Sequence, residues 1–386
     1  MSGAALSGLR VVECGEGVSA AYATKLLADL GADVIKVESP AGDATRRRGP
    51  FPGGSPDAER SGLFVYLNAN KRGVVLDAAT SAGAASLAAL TGTADVLVHN
   101  LPPRAMAAQG VAVDALLAAH PRLVVASITP YGLNGPRRDW AATDLTLWNA
   151  GGIAYLNGGG AEAEDLPPLK PYGQQAEYQG GVNAAIAALG ALRARQRSGR
   201  GQHVVVSIQQ ALAAILELTF EYWPYQQLVA SRLGRKPIQP LDFLECRDGW
   251  VFICCVEEHQ WQEFVRMIGS PEWAGIELFA DRLSRGANWD ALKLFLQEWA
   301  SEQSVLEVYH AAQRRRIPFA PVSTMGDLLA SDHLKARGFF ATLDVPGARF
   351  TVPGAPYQLS ATPWAIRRPA PRLGEHTQDV LRDVGA

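Results

Sequence analysis

The sequence predicts an α/β fold on a parallel sheet, with a smaller α/β region in the middle of the chain. Strand-like and helix-like segments alternate four times between Leu9 and Ile128, the pattern of βα units with parallel strands. The character then changes over residues 223–240, a stretch containing Pro and Arg, before strand and helix resume. The expected organisation is a large domain over 1–222, a linker over 223–240, a small domain over 241–318, and a return to the large domain over 319–386.

Residues 9–14 read as a strand entering Gly15, and 19–30 as a helix with apolar spacing through Tyr22, Leu26, Leu27 and Leu30. Residues 32–38 form a second strand, so the chain opens with a right-handed βαβ unit. A long Gly- and Pro-rich loop follows to Gly62, and a loop of this length in a compact chain is usually functional. Residues 74–77, 94–99 and 123–128 read as strands, with helices at 80–90 and 113–119 between them. Ligands of such sheets gather at the strands' carboxyl ends, which puts Gly15, Glu38, Asn100 and 129–135 on one rim. An Ala-rich helix runs from the Tyr172–Gly173 region to about Arg193, then come a strand at 204–207 and a long helix at 208–222. In the middle region 249–256 is a strand, and 259–268, 291–300 and 304–314 are helices. The Ile317-Pro-Phe-Ala-Pro-Val322 stretch marks the crossing back, and the tail carries a strand at 342–345 and a helix at 374–381.

Composition narrows the functional classes. The chain has 386 residues, 48% of them apolar and 19% charged, which is globular and not disordered. A net charge of -2 announces no nucleic acid, and no apolar run reaches the length of a membrane span. No signal peptide is recognisable at the start, so a cytoplasmic location is expected. Cys14, Cys246, Cys254 and Cys255 include no C-x-x-C pair and read as buried thiols of a reducing compartment. The histidines lack metal-ligand spacing, and no metal is expected.

Three stretches invite chemistry. Gly15-Glu-Gly17-Val-Ser-Ala20 matches G-x-G-x-x-A, with Glu38 where a ribose-binding acid would stand. Glu16 would set an anion against a pyrophosphate, which favours a tight strand-to-helix turn over a dinucleotide site. Arg46–Arg48 and Lys71–Arg72 flank the long loop; they read either as solvated charge or as a phosphate clamp for an anionic cofactor. Glu177, four residues before Gly181, lies near the start of a buried helix, where backbone N–H groups keep a carboxylate ionised. Taken alone it is also an ordinary capping acid.

The ordered set of Leu26-Leu-Ala-Asp-Leu-Gly-Ala-Asp-Val-Ile-Lys-Val-Glu38, Leu67-Asn-Ala-Asn-Lys-Arg72, Ala94-Asp-Val-Leu-Val-His-Asn100, Tyr131-Gly, Ser198-Gly-Arg-Gly-Gln202, Ile317-Pro-Phe-Ala-Pro-Val322 and Leu373-Gly-Glu-His-Thr377 spans nearly the whole chain. It resembles the family III CoA-transferases, which include formyl-CoA and carnitine CoA-transferases and, as a relative, alpha-methylacyl-CoA racemase. The resemblance implies a Rossmann-like large domain formed by both chain ends, a smaller α/β middle domain, and an interlocked dimer. It implies coenzyme A or acyl-CoA as substrate, with no prosthetic group, and a small carboxylic acid as acceptor. CoA contacts are then expected at Val18, at Leu67, Asn68, Asn70, Lys71 and Arg72, and at Asn100, Leu101 and Arg104.

By the same resemblance Glu177 stands where the family has its nucleophilic aspartate. An ionised glutamate offers the same covalent chemistry with one more methylene. The two functions this implies are CoA transfer through a glutamyl intermediate, or a CoA-binding, non-catalytic subunit paired with an active homologue. The family's Asn-Phe-Arg-Pro-Gly becomes Asn100-Leu-Pro-Pro-Arg104, and the glycine-rich loop of formyl-CoA transferase has no counterpart at 254–259. Thr143 replaces the histidine of the racemase branch, which leaves proton abstraction without its base. Trp148, Tyr155, Tyr178 and Trp223 are candidate aromatic walls for the acid.

Overall fold

In the computed structural model, which describes residues 3–109, 111–158, 165–233 and 238–385, β1 (Arg10–Cys14) is buried along almost its whole length. That suits a strand covered on both faces. The chain continues through α1 (Ser19–Asp29), β2 (Asp33–Glu38), α2 (Gly62–Asn68), β3 (Lys71–Val75), α3 (Ser81–Gly92), β4 (Val96–His99), α4 (Val113–Ala119) and β5 (Val124–Thr129). Then come α5 (Asp144–Ala150), α6 (Ile153–Leu156), α7 (Gln175–Ser198), β6 (His203–Ser207), α8 (Ile208–Ala213) and α9 (Glu217–Gln226). The strands form one six-stranded sheet in the order β3-β2-β1-β4-β5-β6, with every pairing parallel. The order reverses between β1 and β4, so the turns leaving these two strands diverge and open a crevice at their carboxyl ends.

Alternating side chains build a layer on each face. Val11, Val34, Val96, Val98 and Ala126 pack with α1 and α7, while Val12, Ile35, Val74, Leu97 and Val125 pack with α3 and α4. The α1–α7 contact is unusually close for a sequence reason. A Cβ on Gly181 would stand 2.8 Å from the Ser19 carbonyl and 3.2 Å from Tyr22 Cβ. Gly180 plays the same part towards Ile208, 2.7 Å from where its Cβ would lie.

The middle of the chain forms a separate compact unit, Arg232–Arg337. It contains β7 (Leu241–Cys246), β8 (Gly249–Cys254), α10 (Glu258–Met267), α11 (Arg282–Ala287), α12 (Trp289–Ser301), α13 (Val305–Arg314), β9 (Ala320–Pro321), α14 (Met325–Ala330) and α15 (Asp332–Ala336). Its sheet has the order β7-β8-β9 and is antiparallel. Phe264 centres its core, edge-on to Phe319 at 4.9 Å and to Trp299 at 5.5 Å. The crossing back falls later than the expected 319: Ala320 and Pro321 pair with Phe252 and Val251, and the larger unit resumes at Gly338. The single helix expected over 208–222 is two, α8 and α9, and α9 runs past the expected boundary to Gln226.

The returning segment adds a hairpin, β10 (Phe340–Val345) and β11 (Ala348–Pro353), and ends in α16 (Thr377–Asp383). It is stitched to the first part of the chain. Asn70 Nδ2 donates to Ala365 O at 2.9 Å and its Oδ1 accepts from Arg367 N at 2.6 Å. The edge strand β3 is covered: Gly73 N donates to His376 Nδ1 and Val75 N to Thr377 Oγ1. The four cysteines are free thiols. No helix among the described residues is long and apolar enough to cross a membrane.

Candidate active site

Asn100, the residue after β4, reaches across the crevice to the turn that follows β1. Asn100 Oδ1 accepts from Glu16 N at 3.0 Å, and its Nδ2 donates to Glu16 O and to Ser19 Oγ, the latter at 3.1 Å. Asn100 thus shapes the turn from Gly15 to Ser19 from across the switch point. A second anchor is Asp43, whose Oδ1 accepts from Gly17 N at 3.3 Å. Gly17 has φ +80°, a conformation that suits glycine. The G-x-G-x-x-A match is therefore a turn filled by the protein's own polar groups.

The turn ends on Glu177. Glu177 Oε2 accepts from Val18 N at 2.9 Å. The carboxylate lies in the first turn of α7 and meets the amino end of α1, where backbone N–H groups gather. Gly181 stands one helical turn after Glu177, on the same face. Its missing side chain lets α1 approach, so the glycine spacing and the Val18–Glu177 contact have one cause. Burial raises the Glu177 pKa above its ordinary value, and the Asp144 charge adds to the rise. The Val18 and Ser19 N–H groups and the Arg48 charge pull it back. The result is a partly desolvated carboxylate held at a fixed place.

The main chain of Glu177 is fixed as well. Its N–H donates to Asp144 Oδ1 at 3.0 Å. Asp144 opens α5, whose N-cap Thr143 forms a capping box with Thr146. The other Asp144 oxygen lies 3.0 Å from Lys170 Nζ, a charge contact without hydrogen-bond alignment. Lys170 also donates to the carbonyls of Pro171 and Gly173, immediately before α7. Nothing in the spacing of the sequence singles out Lys170; only the fold brings it to Asp144.

The other expected site residues fall into two groups. Val18, Asn100 and Leu101 come together at the switch point, and the Leu101 N–H donates to His99 Nδ1 at 3.3 Å. Arg104 lies on the exposed surface, its Nε 3.4 Å from Asp139. The segment at 67–72 does not present its cations as expected. Leu67 and Asn68 are fully buried, and Asn68 Oδ1 accepts from Lys71 Nζ at 2.9 Å. Lys71 is fully buried, with its ammonium 2.8 Å from Glu13 Oε2. Asn70 is spent on Asp29 and the returning tail. Arg72 pairs with Asp33, the first residue of β2, at the amino end of the strands.

Arg46 is likewise internal. It makes two hydrogen bonds to Glu38 at 2.7 and 2.8 Å, reaches Glu59 at 2.9 Å, and lies over the Phe64 ring. Arg47 donates to Ala41 O. The expected phosphate clamp is corrected for two of its cations: Arg46 and Lys71 neutralise the buried carboxylates of Glu38 and Glu13 under the rim. Lys36 completes the set, 2.7 Å from Glu13 and 2.8 Å from Asp43. Burial alone would raise the Glu13 pKa, yet the two lysines hold it well below the usual carboxylate range. Of the aromatic candidates, Trp148 is buried in the apolar layer and Tyr178 packs edge-on to Tyr22 at 4.7 Å, whereas Tyr155 and Trp223 are exposed.

Comparison with known proteins decides the family. The model of CoA-transferase family III matches residues 6–377. The chain belongs to CoA-transferase family III. It is 33% identical over 392 residues to the BbsE subunit of succinyl-CoA:(R)-benzylsuccinate CoA-transferase from Thauera aromatica, covering 98% of this chain and 94% of that one. It is 31% identical to the beta subunit of succinyl-CoA–L-malate CoA-transferase from Chloroflexus aurantiacus, covering 98% and 94%. A CaiB/BaiF family protein from Brucella suis has the same fold with a TM-score of 0.89 at 29% identity, over 99% of this chain and 100% of that one. The activity of this family III chain is the transfer of CoA from an acyl-CoA to a carboxylic acid, and the switch-point crevice with its clamped Glu177 is the candidate site for it.

Proposed function

We propose that Glu177 is the nucleophile of this transfer. The observation that carries the reading is the Val18 N–H contact, which holds the longer glutamate side chain in one place. In the first step the Glu177 carboxylate attacks the acyl carbonyl of the thioester, and CoA thiolate leaves. That thiolate attacks the glutamyl carbonyl of the mixed anhydride, which releases the donor acid and leaves a glutamyl-CoA thioester. The acceptor carboxylate then repeats the sequence in reverse, and Glu177 is regenerated with no net proton change. The N–H groups of Val18 and Ser19 are suited to stabilise the charge that develops on the glutamyl oxygen.

CoA lies across the rim formed by the Val18 turn, Asn100 and Leu101, with Arg104 as an exposed cation. Leu67, Asn68, Asn70, Lys71 and Arg72 support that rim from beneath or behind. Relatives named for succinyl-CoA support a dicarboxylic acyl donor. A second chain completes the protein, in an interlocked homodimer or a heterodimer with a homologue. Helix α9 supports this, since none of its residues is buried although it carries Leu218, Phe220, Trp223 and Tyr225. Free thiols throughout support a reducing, cytoplasmic setting.

The test is covalent trapping. After incubation with acyl-CoA, hydroxylamine converts the glutamyl thioester of the wild-type chain to a hydroxamate at Glu177, read by peptide mass. Glu177→Gln shows no adduct and no transfer while still binding CoA. Wild-type protein that binds CoA and stays unmodified refutes the nucleophile and favours the non-catalytic subunit, a reading motivated by the relatives that are named as subunits.

A further inference from the structure

The long loop after β2 carries a cation, Arg48, that neither the buried network nor a neighbouring group uses. Arg46 is internal and Arg47 is tied to Ala41, but Arg48 is exposed. Its guanidinium makes no hydrogen bond or ion pair among the described residues. The backbone beneath it is fixed: Arg48 N donates to Thr45 O at 3.1 Å, and its own carbonyl accepts from Ser61 Oγ at 2.5 Å. It follows a short 3-10 turn, Ala44–Arg47, capped by Asp43. That same carboxylate accepts from Gly17, the neighbour of Val18. The cation therefore rises from a rigid base that shares an anchor with the Glu177 clamp. Its charge also reaches Glu177, as one of the influences that lower the pKa of that carboxyl.

We propose that Arg48 reads the far carboxylate of a dicarboxylic acyl group, while Glu177 works on the near carbonyl. The inference rests on Glu177 marking the acyl end of the substrate. A cation is needed there, because an acyl group that carries a free carboxylate must approach an anionic nucleophile. Arginine suits the task because its planar fork matches a carboxylate with two parallel hydrogen bonds. The competing source of negative charge is a phosphate of CoA. The phosphates are separated from the sulfur by the whole pantetheine arm, whereas Arg48 shares the Asp43 anchor with the turn that holds Glu177, which favours the acyl end.

Succinyl-CoA and butyryl-CoA match in chain length and differ in the far carboxylate. Their binding and their kcat/KM are measured for wild type, Arg48→Gln and Arg48→Lys. Wild type prefers succinyl-CoA; Arg48→Gln reduces that preference roughly 10- to 100-fold, the scale of one charge-assisted contact, and Arg48→Lys restores part of it. An equal loss with both thioesters would assign Arg48 to a CoA phosphate and overturn the proposal, as would a wild type without preference or a variant that retains it. Binding is read without turnover. An Arg48-dependent preference in a protein that forms no Glu177 adduct would therefore sustain this inference and sink the nucleophile.

Discussion

Shortening Glu177 to aspartate tests whether the extra methylene is an adaptation or a defect. Glu177→Asp withdraws the carboxylate by one carbon–carbon bond, about 1.5 Å. The oxygen now 2.9 Å from Val18 N then loses its donor. The turn cannot follow it, because Asn100 holds Glu16 and Ser19 and Asp43 holds Gly17. The lost interaction is a hydrogen bond to a charged group, worth about 1.5–3 kcal/mol. If it is retained in the transition state, the rate falls roughly 10- to 100-fold. Displacement of a reacting atom by about 1 Å leads to a loss of similar size. The assay is kcat/KM for CoA transfer from succinyl-CoA to a panel of acids, with single-turnover formation of the glutamyl adduct as the direct readout. An aspartate variant as fast as wild type, or faster, would refute the claim that this clamp is fitted to glutamate.

Two further outcomes follow from the charges around the site. Asp144→Asn keeps an oxygen to accept the Glu177 N–H but removes a like charge that raises the Glu177 pKa. The ionised nucleophile then survives to lower pH, so the acid limb of the pH–kcat/KM profile should move down; an unmoved or raised limb would contradict the electrostatics. Glu13→Gln leaves Lys36 and Lys71 buried around a neutral amide and should cost roughly 3–5 kcal/mol, read from urea midpoints. Because Glu13 and Asp43 are both held at about 2, their contribution to stability is complete above the ordinary carboxylate range. It is lost as pH falls towards 2. Acid denaturation followed by circular dichroism should show wild type losing stability in that window and Glu13→Gln losing less.

The order of strands and helices was legible because apolar periodicity is local. The parallel arrangement and the rim follow from it, and so does the place of Asn100 on that rim. Glu177 was different: its own sequence context is that of a capping acid, and its role came from resemblance. The misplaced residues share one physical reason. A lysine or arginine is written in the sequence without its partner, and burial depends on that partner. Lys71 goes inside because Glu13, far away in sequence, waits on β1; Arg46 goes inside between Glu38 and Glu59. Lys170 is illegible in the sequence for the same reason, since Asp144 reaches it only through the fold. The late return to the larger unit was hidden because β9 has two residues, too short for any periodicity.

The tail that closes over β3 has a consequence for synthesis. Arg46 donates to Pro371 O, and Asn70 bonds Ala365 and Arg367. The residues satisfied by these bonds leave the ribosome long before their partners exist. At about 5–20 residues per second, roughly 15–60 s pass between the emergence of Asn70 and that of Arg367. Throughout that interval β3 is an open edge, and open edges invite pairing with other chains. The nascent protein thus has a built-in window of vulnerability, and a chain stopped short of His376 never leaves it.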